Sequence, residues 1–314
     1  MRRLSGDFLS RVLLVLQRCN EREVTPQELM AALQSALGAD DLYVDVAEAV
    51  PARDVTEPMP TRLQTFDAAS MGKLNAMLPW SSYTHLGGGH VVGSAWSGRK
   101  RIAPEVFPDA LVERLAARLP LGGKDVLELG CFEGHHSTTL ARHARCVWAI
   151  DGRIENVVKT LVRVWLAGAE QRVAVNLLDL ERGPLGEQLA ALGRTAKFEV
   201  IHHRGVLYHL SDPLAHLAQC AEVCTEAIYL HTQLAPESIV DSTLQHAGRS
   251  YPVYRYREPK VEFAPFSGIT THAHWFTEAS LTAALQDLGF GDIEVLARVQ
   301  ERNGPRLECI ARRR

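Results

Sequence analysis

The chain has 314 residues, 46% of them hydrophobic and 23% charged, an ordinary soluble composition able to bury a core. A formal net charge of -3 offers no global basic field for nucleic acid. The six cysteines (Cys19, Cys131, Cys146, Cys220, Cys224, Cys309) form no CxxC pair and read as reduced thiols in a cytoplasmic protein, and the longest N-terminal apolar run, Val12–Leu16, is too short for a secretory h-region or a membrane span.

Residues 7–19 space their apolar side chains on one helical face. Thr25-Pro26-Gln27-Glu28 is a capping box with proline at the first helical position, opening a second helix to about Leu37. Residues 1–60 hold six basic and ten acidic side chains, a poor electrostatic match for RNA. This helical extension is available for dimerisation, a partner or substrate capture. Pro51–Pro60 reads as a linker, and residues 61–108 as a linker and covering segment. From about residue 109 helices alternate with strands. Helices are expected at 109–118, from Ser137, and at 154–167, 185–192, 213–222 and 277–288. Strands are expected at 125–129, 146–150, near 173–178, at 198–202 and 226–231, and near 292–298 and 306–311. That alternation predicts an α/β fold, a Rossmann-like parallel sheet covered by helices, with ligands at the carboxyl ends of its strands. A lid insertion occupies about 234–276, and its stretch 251–277 is long, aromatic and rich in turns.

The run Glu128-Leu129-Gly130-Cys131-Phe132-Glu133-Gly134 falls at a strand-to-helix turn, where glycine permits close backbone approach to a ligand. It is not a dinucleotide fingerprint, because Phe132 stands where the middle glycine belongs, and GxxxxGK[ST] is absent. S-adenosylmethionine, which has no pyrophosphate to cradle, is the candidate left. Glu128 ends the first strand and suits its cationic groups. Asp151 ends the second strand, 21 residues after Gly130, placed to accept both ribose hydroxyls, and Asp179 follows the third, placed for the adenine edge. Each alone reads equally as a solvated loop carboxylate; three at successive strand ends with the glycine turn favour the cofactor.

Two further stretches carry a resemblance. One comprises Gly205, Val206, Leu207, Tyr208, His209, Pro213, Leu214, His216 and Leu217; the other comprises Leu78, Pro79, Trp80, Gly93, Trp96 and Lys100. Together they resemble the class I methyltransferase family of the bacterial tRNA wobble-uridine carboxymethyltransferase, over about residues 75–298. The resemblance implies a seven-stranded Rossmann-like methyltransferase sheet. It implies that Trp96 and Lys100 close over the cofactor, with Tyr208 beside its reactive end. The chain departs from the family at Ser81-Ser82, which replace an Arg-Lys pair whose lysine holds the extra carboxylate of carboxy-S-adenosylmethionine. Losing that cation removes a contact worth about 1.5–3 kcal/mol. The departure implies S-adenosylmethionine as donor and a small-molecule acceptor, with tRNA less favoured.

Methyl transfer to a hydroxyl or weakly acidic nitrogen is helped by a base. His203 and His209 are the candidate bases in the cluster His202, His203, Arg204, Tyr208, His209 after the fourth strand, and Arg204 is also a cofactor candidate. His202 reads better as a packed core residue, and His135-His136 as caps or lining of the glycine turn. Ser82, Tyr83, Tyr254, Arg255, His272 and Trp275 are candidate acceptor contacts, the aromatics serving equally well to pack the lid. A metal site is not expected, because the histidine spacings match no ligand pattern with a linked carboxylate. A non-catalytic cofactor-binding module is the remaining reading, disfavoured by the near-intact set Glu128, Gly130, Gly134 and Asp151.

Overall fold

The computed structural model describes residues 66–87, 89–93, 105–194, 197–258, 267–301 and 304–314, with the backbone of two short antiparallel strands, β1 (Arg2–Leu4) and β2 (Tyr43–Asp45). The helices expected at 7–19 and 25–37, the linker 51–60, Trp96 and Lys100 lie outside the described residues. The chain continues with α1 (Ala68–Met77), β3 (Thr84–Gly87), β4 (His90–Val92), β5 (Glu105–Val106) and α2 (Ala110–Arg118). Then come β6 (Asp125–Leu129), α3 (His135–His143), β7 (Cys146–Asp151), α4 (Ile154–Leu166), β8 (Val173–Leu177) and α5 (Leu185–Ala191). The last part runs β9 (Phe198–Arg204), α6 (Pro213–Val223), β10 (Cys224–Gln233), β11 (Ser242–His246), β12 (Arg249–Arg257), β13 (His272–Phe276), α7 (Glu278–Asp287), β14 (Asp292–Glu301) and β15 (Gly304–Arg312).

Local chemistry sets these boundaries. Asp67 caps α1 by accepting the Ser70 N–H at 2.7 Å, and Asp109 caps α2 by accepting from Leu111 and Val112. Asp212 caps α6, whose first residue is proline, and Thr277 caps α7. Every residue of β6 and β7 is buried, as in a parallel strand covered on both faces.

The principal sheet has seven strands in the order β14-β15-β10-β9-β6-β7-β8. β10 pairs parallel with β9, β9 with β6, and β7 with β8, while β15 runs antiparallel to both β10 and β14. The strand order reverses at β6, so the chain leaves β6 at the switch point where such sheets bind ligands.

The chain forms two compact units. Met1–Gly123 with Cys131–Leu177 builds one, whose core includes Leu140, Val147, Trp148, Ile150, Leu161 and Val175. The segment 61–108, expected as linker and cover, contributes α1 and the small sheet β4-β3-β5 to it. Lys124–Gly130 with Leu178–Arg314 builds the other, around Leu127, Val200, Ile201, Ile228, Tyr229 and Ile310. In this unit the insertion expected as a turn-rich lid is a three-stranded antiparallel sheet, β11-β12-β13. Tyr254 and Tyr256 alternate with Arg255 and Arg257 along the end of β12, the period of a strand with two unlike faces. The five described cysteines are all buried and form no disulfide with one another.

Candidate cofactor and acceptor site

The glycine turn is tightly built within its own unit. Phe132 holds φ 53° and Gly134 φ 77°, and a left-handed phenylalanine is an uncommon, strained conformer. Two bonds hold it: its N–H donates to Asp151 Oδ2 at 3.0 Å, and its carbonyl accepts from Thr160 Oγ1 at 3.0 Å. A Cβ at Gly134 would lie 2.9 Å from the Thr160 methyl and 3.0 Å from its Cα, so this glycine is required by the approach of α4. In the other unit a Cβ at Gly130 would fall 2.2 Å from Val206 Cγ2. Both glycines therefore make room for protein atoms.

Asp151 is buried at the end of β7 and accepts from the Arg153 N–H and the Asn156 amide as well as from Phe132. Burial dominates these hydrogen bonds and pushes its carboxyl up to about 6. A buried carboxylate whose charge three donors only partly offset suits a ligand that brings two further hydroxyls.

A second polar network lies beneath the turn. Glu133 is fully buried, paired with Lys159 at 2.8 Å, and accepts the backbone N–H groups of Ser81 and Ser82. Burial pushes its carboxyl up, but the Lys159 charge and these donors prevail and hold it below the usual range. Arg163 donates to Ser82 Oγ at 2.8 Å and Thr84 Oγ1 at 3.0 Å, with its guanidinium 5.3 Å from the Trp80 ring centroid. Ser82, expected as an acceptor contact, is 5% exposed and engaged by both its N–H and its hydroxyl. It is corrected to an anchor of the Trp80-Ser81-Ser82 segment. Tyr83 is partly exposed, its hydroxyl 3.3 Å from His85 Nε2. His135 Nε2 lies 3.0 Å from Asp109 Oδ2 and His136 Nε2 3.7 Å from Oδ1, so the histidine pair ties α3 to the cap of α2.

In the other unit β6 and β9 bring Glu128 opposite His202 and Leu129 opposite His203. Glu128 is 2% exposed. His202 stacks on Tyr229 with centroids 5.0 Å apart, the packed residue the sequence suggests. His203, expected as a candidate base, is wholly buried, its Nε2 3.0 Å from His216 Nε2. Burial and the neighbouring imidazoles hold it well below its ordinary value as a base. The structure thus closes this candidate base against His216 in the core, away from solvent. His203, His216 and Cys220 bring N, N and S within 4.8 Å of one another, but among the described residues neither Nδ1 has the partner that orients a metal-binding imidazole.

Arg204 donates to the Tyr229 hydroxyl at 2.9 Å, which donates to Glu308 at 3.0 Å. Asp179 accepts the Glu181 N–H and pairs with Arg182 at 3.2 Å, closing the turn after β8.

Leu207–His209 form a 3₁₀ turn after β9. His209 Nδ1 lies 2.6 Å from Oε1 of Glu258, whose side chain is 2% exposed against 20% for His209. The Tyr208 ring lies 4.2 Å from that of His209, with Arg306 stacked over it at 5.0 Å. Trp275 donates from Nε1 to the Tyr208 carbonyl at 2.8 Å, and His274 Nδ1 meets the Ser211 carbonyl at 2.6 Å. The small sheet thus grips the turn that carries His209. Trp275 is 8% exposed and stacked by Tyr256 at 4.3 Å, so this expected acceptor contact holds the turn instead, and Tyr254 packs edge-on against it. Arg255 is exposed and His272 half-exposed on the same small sheet.

Glu258, Glu133, Lys159 and Arg163 were not singled out from the sequence. Glu258 sits in an ordinary charged tetrapeptide, Arg257-Glu258-Pro259-Lys260, and only the return of β12 beside the 3₁₀ turn gives it meaning.

The methyltransferase domain family matches residues 99–295. The chain belongs to that family. Its seven-stranded sheet is the class I Rossmann-like fold of S-adenosylmethionine-dependent methyltransferases. The N-terminal domain of EvdMO1, crystallised in the presence of SAH and D-fucose, is 26% identical and superposes with a TM-score of 0.63, covering 79% of this methyltransferase and 98% of that chain. A tRNA U34 carboxymethyltransferase of Methylococcus capsulatus is 35% identical over 101 residues, 32% of this chain and 28% of the relative. A ubiquinone biosynthesis O-methyltransferase of Cereibacter sphaeroides is 31% identical over 109 residues, 35% of this chain and 40% of the relative. These two curated relatives are therefore matched over less than half of their length.

Proposed function

We propose that the chain transfers a methyl group from S-adenosylmethionine to a hydroxyl of a small, sugar-containing acceptor, with His209 as the base. The pairing of His209 Nδ1 with buried Glu258 at 2.6 Å carries this reading. A carboxylate on Nδ1 fixes the tautomer whose Nε2 lone pair is free, and it stabilises the imidazolium formed when that lone pair takes a proton. Tyr208 and Trp275 hold the imidazole in place. When bound, S-adenosylmethionine supplies a methyl group already activated on a sulfonium sulfur. Asp151 fits the cofactor because burial outweighs its three hydrogen bonds, and the ribose hydroxyls bring two more donors. Glu128 and the turn at Phe132 and Gly134 are further cofactor contacts on this reading, as are Trp96 and Lys100.

Support for a sugar hydroxyl comes from D-fucose in the EvdMO1 crystal, and for oxygen as nucleophile from the O-methyltransferase relative. Similarity to the tRNA carboxymethyltransferase supports a second reading, transfer to tRNA. The acidic first 60 residues and Ser82, engaged by Glu133 and Arg163, weigh against it.

The test is mass-spectrometric detection of methylated product from S-adenosylmethionine and a panel of free sugars, glycosides and nucleotide sugars. Product is expected with at least one sugar hydroxyl. His209→Ala should lower kcat by about 10²–10⁴-fold. Glu258→Gln should lose less, because its amide oxygen still accepts the Nδ1–H. An undiminished rate in His209→Ala overturns the base assignment. Product on tRNA with carboxy-S-adenosylmethionine and none on sugars replaces the acceptor assignment.

A further inference from the structure

β12 changes character along one face. Tyr251 and Val253 are buried, and the next two residues on that face, Arg255 and Arg257, are exposed. Across the ladder, His274 stands opposite Arg255 and His272 opposite Arg257. Two arginines at the end of β12 thus face two histidines of β13, four nitrogen-bearing side chains on one face of the pair. Among the described residues no carboxylate pairs with either guanidinium. Asp241 accepts the Arg255 backbone N–H at 2.8 Å, and Glu258 holds His209. Arg255, Tyr256, Arg257, Glu258, Thr271 and His272 line an open cavity of about 420 Å³, within the usual range for a small-molecule site.

We propose that this cavity binds a diphosphate on the acceptor, making the substrate class a nucleoside-diphosphate sugar. Two guanidinium forks on alternate residues stand about 6.6 Å apart at their Cα atoms. Each fork presents parallel N–H donors to a phosphoryl group, the geometry in which arginine exceeds lysine. Glu258, the residue that orients His209, lines the same cavity as both arginines, so a diphosphate held there keeps the attached sugar within reach of that pair. The inference rests on the sugar-hydroxyl reading above and extends it by naming the handle.

The test is isothermal titration of the full chain, saturated with S-adenosylhomocysteine, with uridine diphosphate and separately with inorganic pyrophosphate. The double variant Arg255→Ala/Arg257→Ala changes only exposed side chains and so tests the cavity without unfolding it. Binding of both probes is expected, weakened at least tenfold in the double variant, with affinity for S-adenosylhomocysteine unchanged. Binding of uridine diphosphate alone would make the nucleoside a necessary part of the recognised group. No binding of either probe, or equal binding by the variant, overturns the proposal. The two readings fail separately. Methylation of neutral glycosides with a KM untouched by the double variant would remove the diphosphate site and keep the sugar acceptor. Diphosphate binding without methylation of any sugar would do the reverse.

Discussion

Asp151 accepts three hydrogen bonds from its own chain, yet burial still holds its carboxyl up to about 6. Between its ordinary value near 3.8 and about 6, the folded chain keeps a proton that the unfolded chain releases. Stability of the ligand-free protein from this group therefore falls as pH rises through that window. Cofactor binding should run the other way, because ribose hydroxyls donate to the ionised form. Affinity for S-adenosylhomocysteine should weaken as pH falls below about 6, by up to about tenfold per pH unit, and protons should be released on binding. Calorimetry in buffers of different ionisation enthalpy measures both, and Asp151→Asn should flatten the dependence. Asp151 is legible as a cofactor candidate from its place at a strand end. The reason for Gly130 and Gly134 is not, because the atoms their missing Cβ groups would strike belong to Val206 and Thr160, far along the chain.

At the scale of elements, α4 shows where a periodic pattern misleads. Asn156, Lys159, Thr160 and Arg163 recur at three- and four-residue spacing, which by itself reads as a solvated stripe. All four are buried. Lys159 meets Glu133, and Arg163 meets Ser82 and Thr84, so the stripe is the polar glue between α4 and the segment 80–84. Lys159→Met should leave the Glu133 charge buried without its partner, at a cost of about 3–5 kcal/mol. Chemical denaturation of the single variant measures it, and pairing it with Glu133→Gln should recover a large part. Equal stability of wild type and Lys159→Met would show that the pair contributes nothing. The small sheet β11-β12-β13 is also an element-scale result. The turn residues and aromatics of 251–277 mask its alternation, and its pairing partners sit at both ends of the insertion.

For the whole molecule, charge separates the two acceptor classes. The net charge is -3, and the first 60 residues carry ten acidic against six basic side chains. Binding to tRNA draws on counterion release and needs several phosphate contacts. Filter binding with total tRNA at 150 mM salt, a concentration near physiological, should therefore show no retention tighter than about 10⁻⁶–10⁻⁴ M. Tight, salt-dependent retention would return the tRNA reading to first place. No described helix is long and apolar enough to cross a membrane.

Much of the architecture is written locally. The buried runs of β6 and β7, the caps Asp109 and Asp212 and the turn at Gly134 each declare themselves within a few residues, because hydrophobic period and capping chemistry are short-range. The cofactor class and the candidate carboxylate Asp151 follow from that, and the family from the resemblance carried by residues 78–100 and 205–217. The sequence alone also pointed to the 202–209 cluster, but it could not rank the histidines within it. His203 and His209 are of one residue type and six positions apart. Only the tertiary structure closes His203 against His216 in the core and sets His209 beside Glu258. Burial and partnership depend on chain segments that meet across dozens of residues, and no local pattern encodes which ones will meet.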